Sequence, residues 1–130
     1  ESAEKQLEIV DRYYGGDFYE FAEDYFVNVA GLYQKTRCNI VGHFDLITKF
    51  NEKGVLFDTA NPRYRTAAEA ALMKLMMWPV AFEINTGAMA RGYRTEPYPE
   101  RWVLQMLLRG RVAVIKNSDA HCKENLLYGL

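Results

Sequence analysis

The stretch Val80-Ala81-Phe82-Glu83-Ile84-Asn85 decides the fold, because it is typical of a buried β-strand. A short apolar run with β-branched and aromatic residues is what a parallel sheet covered on both faces requires. Glu83 and Asn85 interrupt the run near its carboxyl end, where polar side chains need a specific reason. The stretch therefore predicts a central strand that ends in polar groups.

Two other short runs predict companion strands. Asn39-Ile40-Val41 leads into Gly42-His43, and Val112-Ala113-Val114-Ile115 leads into a polar segment that ends at His121. Connections between the three runs are long enough for crossover helices, which parallel strands require. The sequence thus predicts an α/β unit with about three parallel strands and intervening helices.

Helix signals separate the strands. Asp17 with Glu20, and Thr66 with Glu69, have the spacing of N-terminal capping boxes. Aromatic and aliphatic residues after Asp17 recur at three-and-four spacing, which predicts one buried helical face. The predicted helices cover residues 18–33, 66–77, 99–109 and 123–128, with a short helix or turn at 46–50 and a loop over 51–65.

Composition narrows the class of protein. The chain has 130 residues and a formal net charge of -1, which predicts one globular domain over residues 1–130. Its basic residues are scattered, so we expect no nucleic-acid partner, and its apolar runs are too short to span a membrane. Cys38 and Cys122 have no metal-ligand spacing, so reduced thiols and a cytoplasmic location are expected.

Three polar clusters follow the three predicted strands. They are Gly42-His43-Phe44-Asp45, Glu83-Ile84-Asn85-Thr86-Gly87 and Ser118-Asp119-Ala120-His121. Because carboxyl ends of parallel strands meet at one edge, both histidines of the chain are expected near one site. A carboxylate and imidazoles predict a metal or phosphate site. Either histidine taken alone is equally typical of a hydrogen-bonded loop residue.

Two arginines follow the central strand in one loop. Guanidinium groups suit bidentate binding of phosphate, so Arg91 and Arg94 predict an anionic substrate. Surface ion pairs with carboxylates are the alternative for each of them. Since nucleophile-elbow, Gly-rich phosphate-loop and dinucleotide patterns are lacking, covalent catalysis and nucleotide binding are not predicted.

Several blocks of the chain resemble histidinol phosphatases of the PHP superfamily. The resemblance runs through nearly the whole chain and is most specific at Gly-His-Phe-Asp and Ser-Asp-Ala-His. Its blocks are Tyr14-Gly15-Gly16-Asp17-Phe18-Tyr19, Gly42-His43-Phe44-Asp45-Leu46-Ile47-Thr48-Lys49-Phe50-Asn51, Glu83-Ile84-Asn85-Thr86-Gly87, Arg91-Gly92-Tyr93-Arg94 and Ser118-Asp119-Ala120-His121.

The resemblance implies a distorted (β/α)7 TIM-like barrel with a cluster of zinc, manganese or iron ions at its rim. It implies hydrolysis of L-histidinol phosphate to L-histidinol and phosphate in histidine biosynthesis. By position, His43, Asp119 and His121 match metal ligands, and Asp119 and His121 are the implied catalytic residues. Arg91 and Arg94 match phosphate-contacting arginines.

The chain departs from the family pattern in what it lacks. It does not begin with Met, and the family's N-terminal His-x-His motif, its further histidines and its bridging glutamate have no counterpart. The expectation is the C-terminal half of a barrel, inactive alone, that pairs with the missing N-terminal half or self-associates through exposed sheet edges. Glu83 is expected to be structural, hydrogen-bonded to backbone or to an arginine.

Two alternatives stay open. In one, the chain belongs to another PHP phosphoesterase that keeps the metal site and changes the substrate. In the other, it is a non-catalytic α/β interaction module, in which His43, Asp119 and His121 only form hydrogen bonds.

Overall fold

A computed structural model describes residues 2–130 of the chain. The α-helices are α1 (Ala3–Tyr14), α2 (Phe18–Ala30), α3 (Leu32–Thr36), α4 (Pro62–Met76), α5 (Gly87–Ala90) and α6 (Arg101–Arg109). The strands are β1 (Ile40–Val41), β2 (Ala81–Asn85) and β3 (Val114–Asn117), and short 3-10 helices cover Leu46–Thr48, Glu52–Gly54 and Lys123–Asn125.

The three strands form one parallel sheet in the order β1-β2-β3. Val41 of β1 pairs with Phe82 of β2, which pairs with Val114 of β3, and Asn85 pairs with Asn117 at the carboxyl end. The predicted α/β class with parallel strands is confirmed. The third strand covers Val114–Asn117, two residues later than predicted. Its pairing with β2 begins at Val114 opposite Phe82 and ends at Asn117 opposite Asn85.

Helix starts show how capping works in this chain. Asp17 caps α2 as predicted, and its carboxylate accepts hydrogen bonds from the backbone N–H groups of Tyr19 and Glu20. The prediction of a loop over 51–65 and a helix start at Thr66 is wrong, because α4 begins at Pro62. The Asn61 side chain accepts from the Arg63 N–H at 2.9 Å, and a proline suits the first helical turn.

Other boundaries differ in smaller ways. The predicted helix over 18–33 is divided at Gly31 into α2 and α3. The predicted helix over 99–109 begins at Arg101, and the one over 123–128 is a single 3-10 turn. Helices α1 and α5 were not predicted. Helix α1 has Leu7, Val10 and Tyr14 at three-and-four spacing, a signal that the prediction did not use, and α5 spans four residues, which is too short to show a stripe.

The hydrophobic core lies where α2 and α4 pack against β1 and β2. Phe26 of α2 is at its centre, with ring centroids 5.4 Å from Phe44 and 5.3 Å from Tyr64. Phe44 in turn contacts Phe82 of β2 edge-on at 6.0 Å. These four rings are at most 1% exposed, and burial of each of the three Phe side chains contributes about 1.5–3 kcal/mol. They hold the central strand in place.

The described helices are all too short or too polar to cross a lipid bilayer.

Candidate functional site at the strand ends

The carboxylate of Glu83 joins the ends of all three strands. Its Oε2 accepts from the backbone N–H of His43 at 2.8 Å and from the Asn85 side chain at 3.0 Å. Its Oε1 accepts from the Asn117 side chain at 2.5 Å. Glu83 is 7% exposed, so a buried charge is satisfied by three donors, as burial of a charge requires. The predicted hydrogen bond to backbone is present, and it comes from His43.

Asn85 and Asn117 each also hydrogen-bond the loop that follows their own strand. Asn85 accepts from the Gly87 N–H at 2.8 Å, at the start of α5. Asn117 accepts from the Asp119 N–H at 3.1 Å, just beyond β3. Because each side chain bonds both to a neighbouring polar group and to its own loop, the positions of α5 and Asp119 depend on the strand register.

Arg91 at the end of α5 holds two predicted site residues together. Its Nη1 donates to the Asp119 carbonyl at 3.0 Å and lies 2.5 Å from Nδ1 of His121. Its Nη2 lies 3.2 Å from Oδ2 of Asp119. Gly87 permits this approach, since a Cβ there would lie 2.8 Å from Cβ of Asp119 and 3.0 Å from Nη2 of Arg91. The structure thus brings Arg91, Asp119 and His121 together.

Two of the predicted metal ligands lie in the left-handed backbone region. His43 has φ of 29° and Asp119 has φ of 47°. Asp adopts this region more readily than most residues, so the conformation is less costly at Asp119 than at His43. Backbone strain of this kind costs of order 1–3 kcal/mol and persists only where surrounding contacts enforce it. Here Glu83 holds the N–H of His43, and Asn117 holds that of Asp119.

An open cleft of about 350 Å³ lies beside Arg91. It is lined by Lys49, Arg91, Tyr93 and His121. The Lys49 ammonium lies 5.0 Å from the Tyr93 ring and 5.3 Å from the Phe50 ring, so cation–π contacts fix its position. Two cationic side chains, an imidazole and a phenol favour an anionic ligand. We call this surface the cationic cleft.

Lys49 and Tyr93 were not singled out from the sequence. Both lie inside blocks that carry the family resemblance, so that signal was present. Their residue types gave no further clue, because lysines and tyrosines are common on any surface.

Arg94 lies apart from Arg91. Its guanidinium is buried, donates from Nη1 to the Thr48 carbonyl at 3.1 Å and hydroxyl at 2.5 Å, and stacks over Tyr98 at 4.8 Å. It lines a second, largely polar cleft of about 410 Å³ that contains Glu52, Asp58, Glu96 and Glu100. The two arginines therefore do not share a cleft, and the phosphate role of Arg94 stays a prediction.

Asp45, from the Gly-His-Phe-Asp block, is part of the core rather than of the cationic cleft. It is 1% exposed, and its Oδ2 accepts from the Glu100 N–H at 2.7 Å. Its Oδ1 has no hydrogen-bond partner among the described residues. Desolvation raises the pKa of Asp45 to about 7, and burial likewise raises the pKa of the nearby Tyr25 and Tyr64 hydroxyls.

A metal ion requires several ligands that converge on one point. Within residues 2–130, no three His, Cys, Asp or Glu side chains converge in that way. Two of the predicted ligand atoms also face a cation already, because Arg91 contacts Oδ2 of Asp119 and Nδ1 of His121. Residues 2–130 therefore do not fit a metal cluster by themselves, and the metal roles of His43, Asp119 and His121 stay predictions.

Comparison with known proteins finds one distant similarity. Over 100 residues, or 75% of this chain, the sequence is 26% identical to a Schizosaccharomyces pombe (strain 972 / ATCC 24843) protein named "Probable histidinol-phosphatase". The match covers 32% of that protein, so the chain spans about a third of the length of the curated relative it matches. No protein-family model matches the chain, and no solved structure matches it.

Proposed function

We propose that this chain is part of a phosphatase that hydrolyses L-histidinol phosphate to L-histidinol and phosphate, a step of histidine biosynthesis. The relative named as a histidinol-phosphatase supports the reaction, and the family-like blocks support the branch. The observation that carries the proposal is the cationic cleft beside Arg91, Asp119 and His121.

Each residue of the cleft has a chemical role in this proposal. Arg91 and Lys49 balance the charge of the phosphate group, and Tyr93 offers a hydroxyl at its edge. His121 would protonate the leaving alkoxide as an imidazolium, once its Nδ1 no longer accepts from Arg91, and Asp119 positions Arg91 in the free protein. Because these groups are already in place before the substrate binds, they would lower the activation free energy of the hydrolysis.

The proposal extends to the rest of a longer protein. The chain would form the C-terminal portion of a distorted barrel, and the divalent metal cluster would need ligands from elsewhere besides His43, Asp119 and His121. The outer edges of β1 and β3 support this arrangement, because no further described strand pairs with either of them. Those edges would join the missing portion, or a second copy when that portion is absent.

The exposed β3 strand favours a second candidate function. All four of its residues are exposed, and apolar side chains at Leu126, Leu127 and Leu130 are exposed beyond it. A non-catalytic interaction module would use this surface to bind another protein. The two functions differ in whether a phosphate ester binds the cationic cleft.

The test compares two lysine variants. Turnover of L-histidinol phosphate is measured for the longer protein from the same reading frame, and binding of the substrate by the 130-residue chain is measured by calorimetry. Lys49→Met should raise KM and weaken binding about tenfold, the usual effect of losing one charge-assisted contact. Lys53→Met is the control, because Lys53 lines the other cleft.

Absence of turnover by the longer protein, with or without added divalent metal, would refute the phosphatase proposal. Turnover that is equally affected by both lysine variants would show that the cationic cleft is not the substrate site.

A further inference from the structure

A second pocket shares a wall with the cationic cleft. It is an open space of about 290 Å³ between the start of α1, Phe21 of α2 and the segment Lys49-Phe50. Ile9, Phe21 and Phe50 line it, and the lysines at its border contribute mainly their aliphatic stems, because its surface is almost entirely apolar. We call this space the apolar pocket.

Lys49 belongs to both spaces, since it lines the apolar pocket as well as the cationic cleft. Its ammonium lies 5.3 Å from the ring of Phe50, on the apolar side, and 5.0 Å from the ring of Tyr93, on the cationic side. These two rings contact each other edge-on, with centroids 5.7 Å apart. An anion held by the Lys49 ammonium is therefore within a short alkyl linker of the apolar pocket.

We propose that the apolar pocket holds an uncharged aromatic ring of a phosphate ester whose phosphate group lies in the cationic cleft. The class of ligand is a phosphate monoester with an aromatic group on a short alkyl linker. This deepens the proposed function, on which it rests for the phosphate end of the ligand alone.

The charges around the pocket favour a neutral ring attached to an anion. Lys5 borders the apolar pocket, Lys49 borders both spaces, and Arg91 lies in the cationic cleft. A positively charged group in the pocket would be repelled by these cations and would lose its hydration against an apolar surface. An uncharged ring avoids both costs, and the rings of Phe21 and Phe50 offer it aromatic contacts.

The walls of the pocket are held by contacts within the chain. The Gln6 side chain donates from Nε2 to the Ile47 carbonyl at 3.0 Å, which ties α1 to the segment that carries Lys49 and Phe50. Phe21 packs against Tyr14 with ring centroids 5.3 Å apart. A ligand that enters a pocket with ordered walls is spared the entropy cost of ordering them.

Binding of two phosphate monoesters to the 130-residue chain, measured by calorimetry at a pH where both are dianions, tests this proposal. 2-Phenylethyl phosphate should bind about tenfold more tightly than ethyl phosphate, as expected for partial burial of a phenyl ring. Ile9→Ser should remove most of this difference and leave the affinity for ethyl phosphate unchanged. Leu7→Ser is the matched control and should keep the difference, because Leu7 is 39% exposed against 40% for Ile9 and does not line the pocket.

Equal affinities of the wild type for the two esters would overturn the proposal and would point to a protein segment as the occupant of the apolar pocket. A difference that survives in Ile9→Ser would also overturn it, because the ring would then lie elsewhere. If Ile9→Ser does not fold, Ile9→Trp replaces it, since the larger side chain fills the pocket and should abolish the difference as well.

Ethyl phosphate separates this inference from the proposed function. If ethyl phosphate binds and the ring adds nothing, the inference fails and the cationic cleft keeps its role. If neither ester binds, the cationic cleft is not a phosphate site and both proposals fail. Absence of turnover by the longer protein refutes the phosphatase reaction alone, because binding of the esters does not depend on turnover.

Discussion

The two flanks of the sheet are built by different means. On the β1 side, Val41, Phe44 and Phe82 are at most 1% exposed and pack with α2 and α4. On the β3 side, all four strand residues are exposed, and the strand is held by its backbone pairing with β2 and by the Asn117 side chain, which donates to Glu83. The β1 flank supplies stability through packing. The β3 flank supplies part of a hydrogen-bonded cluster formed by Glu83, Asn85 and Asn117, which we call the polar rim. Its geometry depends on the register of the strands.

Truncation of a core side chain should expose the largest difference between the flanks. Phe82→Ala should lower the free energy of unfolding by about 3–5 kcal/mol, because it leaves a cavity beneath Phe44. Ile115→Ala, one register position along on β3, is the matched control and should cost well under half as much, since Ile115 is 38% exposed. Urea unfolding followed by circular dichroism measures both, and similar losses would contradict the proposed division.

The next effect concerns the Asp45 carboxyl group, which is buried in the core. The pKa of Asp45 is raised from 3.8 to about 7, so folding takes up a proton between these values. The stabilisation from the protonated carboxyl is fully present below pH 3.8 and is lost as pH rises through about 7. Across this window the free energy of unfolding should fall by at most about 1.4 kcal/mol per pH unit.

Asp45→Asn should remove this slope, and unfolding across that pH window measures it. Asp58→Asn, at an exposed position, is the control and should keep the wild-type slope. A wild-type profile that is as flat as that of Asp45→Asn would show that the Asp45 carboxyl is solvated.

Glu83→Gln tests the polar rim and should have a smaller effect. The new amide places an N–H group against donors that in the wild type face a carboxylate. The free energy of unfolding should therefore fall by about 2 kcal/mol. The change should also shift the amide resonances of His43 and Asp119, because both loops depend on this cluster. Glu69→Gln on the exposed side of α4 is the control, and equal effects would show that the rim is not a unit.

The smallest effect on stability is expected at the exposed strand β3. Ile115→Lys should change the free energy of unfolding by no more than about 0.5 kcal/mol, as is usual for exposed positions. It should reduce the proposed self-association of the chain, because a lysine on an edge strand opposes pairing. Sedimentation velocity of the wild type, the variant and Gln105→Lys on α6 measures this, and unchanged association would place the contact elsewhere.

Local patterns in the sequence determined the fold class and much of the site. The apolar run through Phe82 predicts the central strand, and the cap at Asp17 predicts the start of α2, because both are short-range signals. The polar clusters at His43, Glu83 and Asp119 were placed at strand ends by the alternation of strands and helices. The start of α4 was missed because the prediction rested on Thr66 with Glu69, whereas the helix begins one turn earlier at Pro62 and is capped by Asn61.

The tertiary structure alone decided which polar groups meet. It placed Arg91 on Asp119 and His121 and set Arg94 in another cleft, although both arginines lie in one short loop. It added Lys49 to the cationic cleft from a segment far away in the chain. A sequence pattern carries the period of an element but not the rotamer of a long side chain or the register of distant strands. Those depend on packing and hydrogen bonds formed only in the folded chain.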